Sequence, residues 1–271
     1  MNVKFVFSLI AVSLISAEGQ ALTADRFKTT VGMTYASEYT TDGFKIGDST
    51  PVVQTSLKLD IPKTDLSLLY WNSLRTARSS SEFDEHDVFA LYSKDFSKGS
   101  KYEFNFHSYY DYWFYPNTQP IKDRFGDELS NVEKHGSKVN AGVSMNNLIP
   151  IAGSYLVPSY NVYYWIYWAQ DRSDQWQGGD RHELSLSYSH SLPKFASWAK
   201  APYAGGFTSL SYNGGAFNVR PGISHSVATL FAGMSALDAN FVLSGNQQFT
   251  YQNTLNDHND FWTTVAVYKE F

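Results

Sequence analysis

The chain has 271 residues, a formal net charge of −5, no cysteine, 17% aromatic residues and only 17% charged ones. The acidic balance argues against nucleic acid as a partner. The absence of cysteine means that an exported chain of this size is held together without a disulfide framework.

Residues 1–4 give a short basic start, residues 5–15 an apolar run, and small residues then lead to Ala17 or Ala21. This is the layout of a secretory signal peptide, too short to span a membrane. Gly19-Gln20-Ala21 favours cleavage after Ala21, so the expected division is a signal peptide over 1–21 and one domain over 22–271. Past Ala21 no window approaches the roughly 20 apolar residues that a transmembrane helix needs.

The remainder of the chain alternates with period two, the signature of β-strands. Over 28–37, Val31, Met33 and Tyr35 oppose Lys28, Thr30, Gly32 and Thr34. Over 53–61, Val53, Thr55, Leu57, Leu59 and Ile61 oppose Gln54, Ser56, Lys58 and Asp60, and a tight turn at 62–65 leads into 66–74. Strands at 86–96 and 101–115 flank the hairpin signal Ser97-Lys-Gly-Ser100. The second of them carries Tyr102, Phe104, Phe106, Tyr110, Tyr112 and Phe114 in one register, interrupted only by Ser108. Its other register carries Glu103, His107 and Asp111. Over 138–146, Val139, Ala141, Val143 and Met145 oppose Lys138, Asn140, Gly142 and Ser144; the segment 157–168 is bulky on both faces. Over 181–190, Leu184, Leu186 and Tyr188 oppose Glu183, Ser185, Ser187 and Ser189. Further strands are expected at 207–213, 223–231, 239–254 and 261–271, with Gly178-Gly179, Gly205-Gly206 and Gly214-Gly215 at or near strand ends.

The sum is about twelve strands, all-β, at the spacing of an antiparallel up-and-down transmembrane barrel. Short connections near 62–65, 97–100 and 147–153 alternate with longer polar ones near 75–85, 116–134 and 170–180. The short ones are expected on the periplasmic side and the long ones outside. In such a barrel the aromatic register meets lipid and the polar register faces the lumen. Glu103, His107, Asp111, Lys138, Asn140 and Glu183 are then the candidates to line a solute path.

The final strand resembles the closing strand of bacterial outer-membrane barrels. Phe261, Thr263, Val265, Val267, Lys269 and Phe271 share one register, and the sequence stops on the aromatic ring. The resemblance implies that Phe271 is a membrane-assembly signal, read by the barrel-assembly machinery. Lys269 belongs at the periplasmic interface, where a cation in the lipid-facing register costs about 0–1 kcal/mol rather than the roughly 2–4 of the midplane. A second resemblance lies near the start: Thr34-Tyr-Ala-Ser-Glu-Tyr39, then Asp42-Gly43-Phe-Lys-Ile and Pro51-Val-Val-Gln-Thr-Ser56. These segments, with Gly179-Asp-Arg-His-Glu-Leu-Ser-Leu-Ser-Tyr188, resemble the small bacterial outer-membrane β-barrel proteins of the TorF-type porin family. Glu38 stands where that family usually has Asp, and Thr41-Asp42 replaces a position often occupied by Arg. The family implies a barrel and a pore and supplies no catalytic residues.

Two other chemistries have weaker footing. His135-Gly-Ser137 has the spacing by which barrel phospholipases place His and Ser on one face of a strand, with Asn146 and Asn147 in the next turn. The Ser-Asn-Gly continuation of that pattern is missing, because Lys138-Val139 follows Ser137. Asp171, Asp174 and Asp180 lie in one loop with Arg172 and Arg181, which reads as a solvated charge run rather than a calcium loop. No metal, cofactor or catalytic residue is expected. The sequence therefore points to an outer-membrane channel for small hydrophilic solutes, with outer-membrane lipid around it. The competing expectations are a non-conducting surface-binding or structural barrel and, more remotely, an outer-membrane lipid hydrolase.

Overall fold

A computed structural model describes residues 27–41, 44–45, 50–76, 84–100, 102–115, 135–166, 178–216, 220–251 and 259–271. The expected signal peptide, the 116–134 loop and most of the 170–180 loop lie outside these residues. Twelve long strands succeed one another: β1 Lys28–Ala36, β2 Val52–Asp60, β3 Leu66–Arg75, β4 Glu85–Phe96, β5 Phe104–Phe114, β6 His135–Met145, β7 Ser154–Ile166, β8 Asp180–Ser191, β9 Lys200–Asn213, β10 Gly222–Ala236, β11 Ala239–Thr250 and β12 Asp260–Glu270. Each pairs antiparallel with the next, β7 with β8 included. β12 returns to β1 through the register Thr30–Glu270 to Ala36–Thr264, so the sheet closes into a barrel. Short strands Thr40–Thr41 and Phe44–Lys45 pair with each other, and Ile149–Ile151 pairs with β7.

Closure gives the barrel two unlike ends. The turn end carries Phe27, Phe271 and five connections of at most eight residues, while the other six, of eight residues or more, leave and re-enter the wall at the loop end. At the turn end, Thr64 closes the β2–β3 turn by donating its N–H and its hydroxyl to the Ile61 carbonyl.

The pleat sorts the side chains. In β5, Tyr110 and Tyr112 are 38% and 36% exposed, whereas Tyr109 and Asp111, which alternate with them, are 5% and 0% exposed. The same phase puts Val31, Met33 and Tyr35 outward on β1 and buries Thr34 and Ala36 inward. An apolar, aromatic exterior around a polar interior is the reverse of a water-soluble sheet protein and suits strands bathed in lipid. Ser108, which interrupts the aromatic register of β5, donates its hydroxyl to the Asn140 carbonyl at 2.7 Å, so its polarity is met within the wall.

Six strand boundaries differ from the periodicity by three residues or more: β6 begins at His135 rather than 138, β7 begins at Ser154 rather than 157, and of the other four, three have a visible local reason. β5 begins at Phe104 rather than 101, because Ser100 and Tyr102 fold into a turn in which Ser100 Oγ donates to the Tyr102 carbonyl and accepts the Tyr102 N–H. β9 begins at Lys200 rather than 207, and Gly205-Gly206 lies inside it instead of at a strand end. There the ring of Phe231 packs so closely that a Cβ on Gly205 would come within 2.5 Å of it. β10 extends to Ala236, since Leu237 and Asp238 both take positive φ (52° and 57°) and close a two-residue hairpin without glycine or asparagine. β11 ends at Thr250 rather than 254.

Gly142 allows the inner wall to close over β6. It pairs with His107 on one side and Asn161 on the other, and His107 Nε2 meets Asn161 Oδ1 across it at 2.7 Å. A Cβ at 142 would fall 2.1 Å from Asn161 Oδ1 and 2.4 Å from His107 Nε2. Gly142→Val should therefore destabilise the barrel by about 1–3 kcal/mol or more, the cost of overpacking. Urea unfolding of the lipid-reconstituted protein, followed by heat-modifiability on a gel, measures it.

Candidate functional site

Register brings the inward-facing residues of β3 to β10 into rows that climb around the wall. One row runs Trp71, Asp87, Trp113 and Gly136. The next runs Leu69, Phe89, Asp111, Lys138 and Trp165. Below them lie Leu91, Tyr109, Asn140, Tyr163, Arg181 and Asn213. A further row holds Ser93, His107, Gly142, Asn161, Glu183, Ser211 and His225. Every one of these strands contributes alternate residues only, so the rows exist because the pleat and the register agree.

Part of the charge in these rows is compensated, while among the described residues neither carboxylate oxygen of the buried Asp87 has a hydrogen-bond partner. Lys138 and Asp111 are neighbours on adjacent strands, with Nζ 3.9 Å from Oδ2 and exposures of 1% and 0%. Lys138 Nζ also lies 5.4 Å from the Trp165 ring centre, and the Arg181 guanidinium lies 4.5 Å from Tyr163 and 5.2 Å from Trp165. Two cations thus rest on one aromatic shelf, an arrangement that gains strength where water is scarce. Glu183 accepts from the Tyr163 phenol and from Ser211 Oγ, both at 3.3 Å. Nearer the loop end, Glu85 accepts from Tyr39 at 2.7 Å. Burial, and after it the charges of Glu85 and Asp87, holds the Tyr39 phenol well above its ordinary range, so it remains a donor.

Asp111, Lys138, Asn140, His107 and Glu183 all face inward on β5, β6 and β8. Glu103 sits elsewhere. It precedes β5 at the turn end, where its carboxylate accepts the Gly99 N–H and its own N–H donates to Asn147 Oδ1 at 2.8 Å. Periodicity passed over Glu85, Asp87, Trp71 and Asn161, and Arg181, expected in a solvated charge run, is instead 2% exposed on the inner wall, where its guanidinium packs on Tyr163. Each lies in the inward phase of its own strand, but only cross-strand register shows that they meet.

The alternative chemistries find different surroundings. Ser137 is 0% exposed at the loop end of β6, whereas Asn146 and Asn147 lie beyond the opposite end of that strand. Nine residue-to-residue steps separate Ser137 from Asn146, roughly 30 Å at about 3.3 Å per step. The asparagines are therefore not within reach of the His135–Ser137 pair. Asp180 binds His182 Nε2 at 2.7 Å, while Asp171 and Asp174 lie outside the described residues. Among the described residues no group of three His, Asp or Glu could hold a metal ion. Of the aromatic cluster on β7, Tyr163 and Trp165 face the lumen and Tyr160 and Tyr164 face outward.

No family model and no curated protein sequence matches this chain. Its fold is similar to an outer-membrane channel from Pseudomonas putida F1, with TM-score 0.49 and 10% identity over 94% of this chain and 98% of that one. It is similar also to the NanC porin, with TM-score 0.47 and 9% identity over 89% and 98% of the two chains. A third likeness is to the translocator domain of the autotransporter NalP from Neisseria meningitidis, with TM-score 0.47 and 10% identity over 99% and 95%. At this distance nothing about solute or activity carries over to this chain.

The buried Asp111–Lys138 pair is testable by a double-mutant cycle. Asp111→Asn and Lys138→Met should each destabilise the barrel, and the double variant should cost less than their sum by about 0.5–3 kcal/mol. Urea unfolding in vesicles reads the coupling.

Proposed function

We propose that this chain is a bacterial outer-membrane channel that lets small hydrophilic solutes diffuse passively, and that it belongs with the TorF-type porins. The observation that carries this reading is a closed twelve-stranded wall with an apolar exterior and an interior that mixes charged groups, amides and hydroxyls with aromatic rings. Asp111, Lys138, Asn140, His107 and Glu183 face the interior but are only 0–7% exposed, so passage would require this inner packing to open, and these side chains would then line the path. At twelve strands the lumen is narrower than that of 16–18-stranded porins, so these side chains would set what passes.

The closing strand supports the same reading. Phe271 exchanges backbone hydrogen bonds with Thr29, at 2.8 and 3.2 Å, and its ring is exposed on the outward side. Lys269 stands two residues away, its Nζ 5.2 Å from that ring, close enough to the turn end for its stem to snorkel to water. Recognition of this strand by the barrel-assembly machinery would deliver the protein to its membrane.

Purified protein in a planar lipid bilayer should give discrete conductance steps. A tight seal without events would move the assignment to a surface-binding or structural barrel whose activity lies in its loops. Deleting Phe271 should lower the amount of heat-modifiable protein in the outer membrane, whereas Lys269→Leu should leave it unchanged. Equal amounts of folded protein with and without Phe271 would remove its role as an assembly signal.

A further inference from the structure

The first connection at the loop end turns into the barrel. Ser37 stays on the wall, its N–H donating to the Thr263 carbonyl and its Oγ accepting the Thr263 N–H, both at 3.0 Å. Beyond it, Tyr39, Thr40 and Thr41 are only 0%, 1% and 3% exposed. Loop residues ordinarily lie in water, because a buried loop must find partners for its polar groups. Tyr39 finds them on the inner wall. Its ring lies 5.8 Å from that of Trp71 on β3, and its phenol donates to Glu85 Oε2 on β4 at 2.7 Å. A second phenol reaches the same oxygen: Tyr115, the residue after β5, donates to Glu85 Oε2 at 3.2 Å.

Two connections, from β1 and from β5, therefore converge on one carboxylate that is 1% exposed. Hydrogen bonds to an ionised acceptor are roughly twice as strong as neutral ones. A glutamine here would keep an acceptor oxygen but lose the charge. The ring of Tyr39 occupies space at the mouth beside Trp71 and Glu85.

We propose that Tyr39, Glu85 and Tyr115 form a latch that holds the first loop inside the barrel mouth and so sets the size of solute admitted. The latch rests on the channel reading. Residues 39–41 narrow the entrance, and Glu85 determines how firmly they stay there. Tyr39→Phe keeps the ring on Trp71 and removes the hydrogen bond. Tyr39→Ala removes both, and Glu85→Gln weakens both phenolic bonds at once.

Single-channel recording of the full-length protein in planar bilayers, with polyethylene glycols of graded size in the bath, tests the latch. Tyr39→Ala should raise the conductance above the parent's and admit polymers that the parent excludes. Glu85→Gln and Tyr39→Phe should add transitions between conductance levels that the parent lacks. If Tyr39→Ala fails to fold, as judged by heat-modifiability, Glu85→Gln and Tyr115→Phe carry the same comparison. A parent that conducts, with folded variants that match its conductance, level structure and polymer cutoff, overturns the latch and leaves the channel standing. A parent that never conducts overturns both.

Discussion

Inside hydrocarbon a backbone N–H or C=O has no water to turn to, and each one left unpaired costs several kcal/mol. The seam between β1 and β12 is where this chain meets that constraint. Seven residue pairs join the two strands, from Thr30–Glu270 to Ala36–Thr264. The reciprocal bonds between Thr29 and Phe271 extend the ladder, and Lys28 Nζ meets Glu270 Oε2 at 2.7 Å at its turn end. With the seam made, the sheet has no lipid-facing edge. With it open, two strands would expose their bonding groups to lipid or to another chain. The absence of cysteine fits this design, because the hydrogen-bonded ladder does the work of a staple.

Closure then dictates the rest of the chemistry. A strand in a closed wall has one face toward lipid and one toward the lumen, so polarity is sorted residue by residue. The lumen face collects groups that lipid would reject, and register sets which of them meet along the rows, although among the described residues both carboxylate oxygens of Asp87 find no hydrogen-bond partner there. Lys138 illustrates the outcome: it meets a carboxylate on the neighbouring strand β5 and the aromatic ring of Trp165 on β7. Glycine serves the same end at Gly142, where only the absence of a side chain lets His107 and Asn161 meet.

Much of this architecture was legible in the sequence because period-two alternation is a local property. All twelve strands were visible, and alternation assigned faces correctly, as Tyr110 against Asp111 shows. Two kinds of feature were not legible. Boundaries failed where turn chemistry departs from the usual residues: Leu237 and Asp238 make a tight hairpin in left-handed backbone with neither glycine nor asparagine, and Gly205-Gly206 resembles a turn but serves close packing. Contacts across the wall also stayed hidden. Tyr39 and Glu85 are 46 residues apart, and nothing near either one announces the other. Polar phase alone could nominate Asp111 and Lys138 as lumen residues, but not as partners.

The most direct measurement is a nitroxide scan along β5 in lipid vesicles, one introduced cysteine at a time. The chain has no cysteine of its own, so each label is unique. Collision rates with dissolved oxygen, which partitions into lipid, should be high at Phe106, Tyr110 and Tyr112. They should be low at Asn105, His107, Tyr109 and Asp111, and a period of two should hold along the strand. A flat profile, or oxygen maxima at His107 and Asp111, would contradict a lipid-facing aromatic wall around a polar lumen.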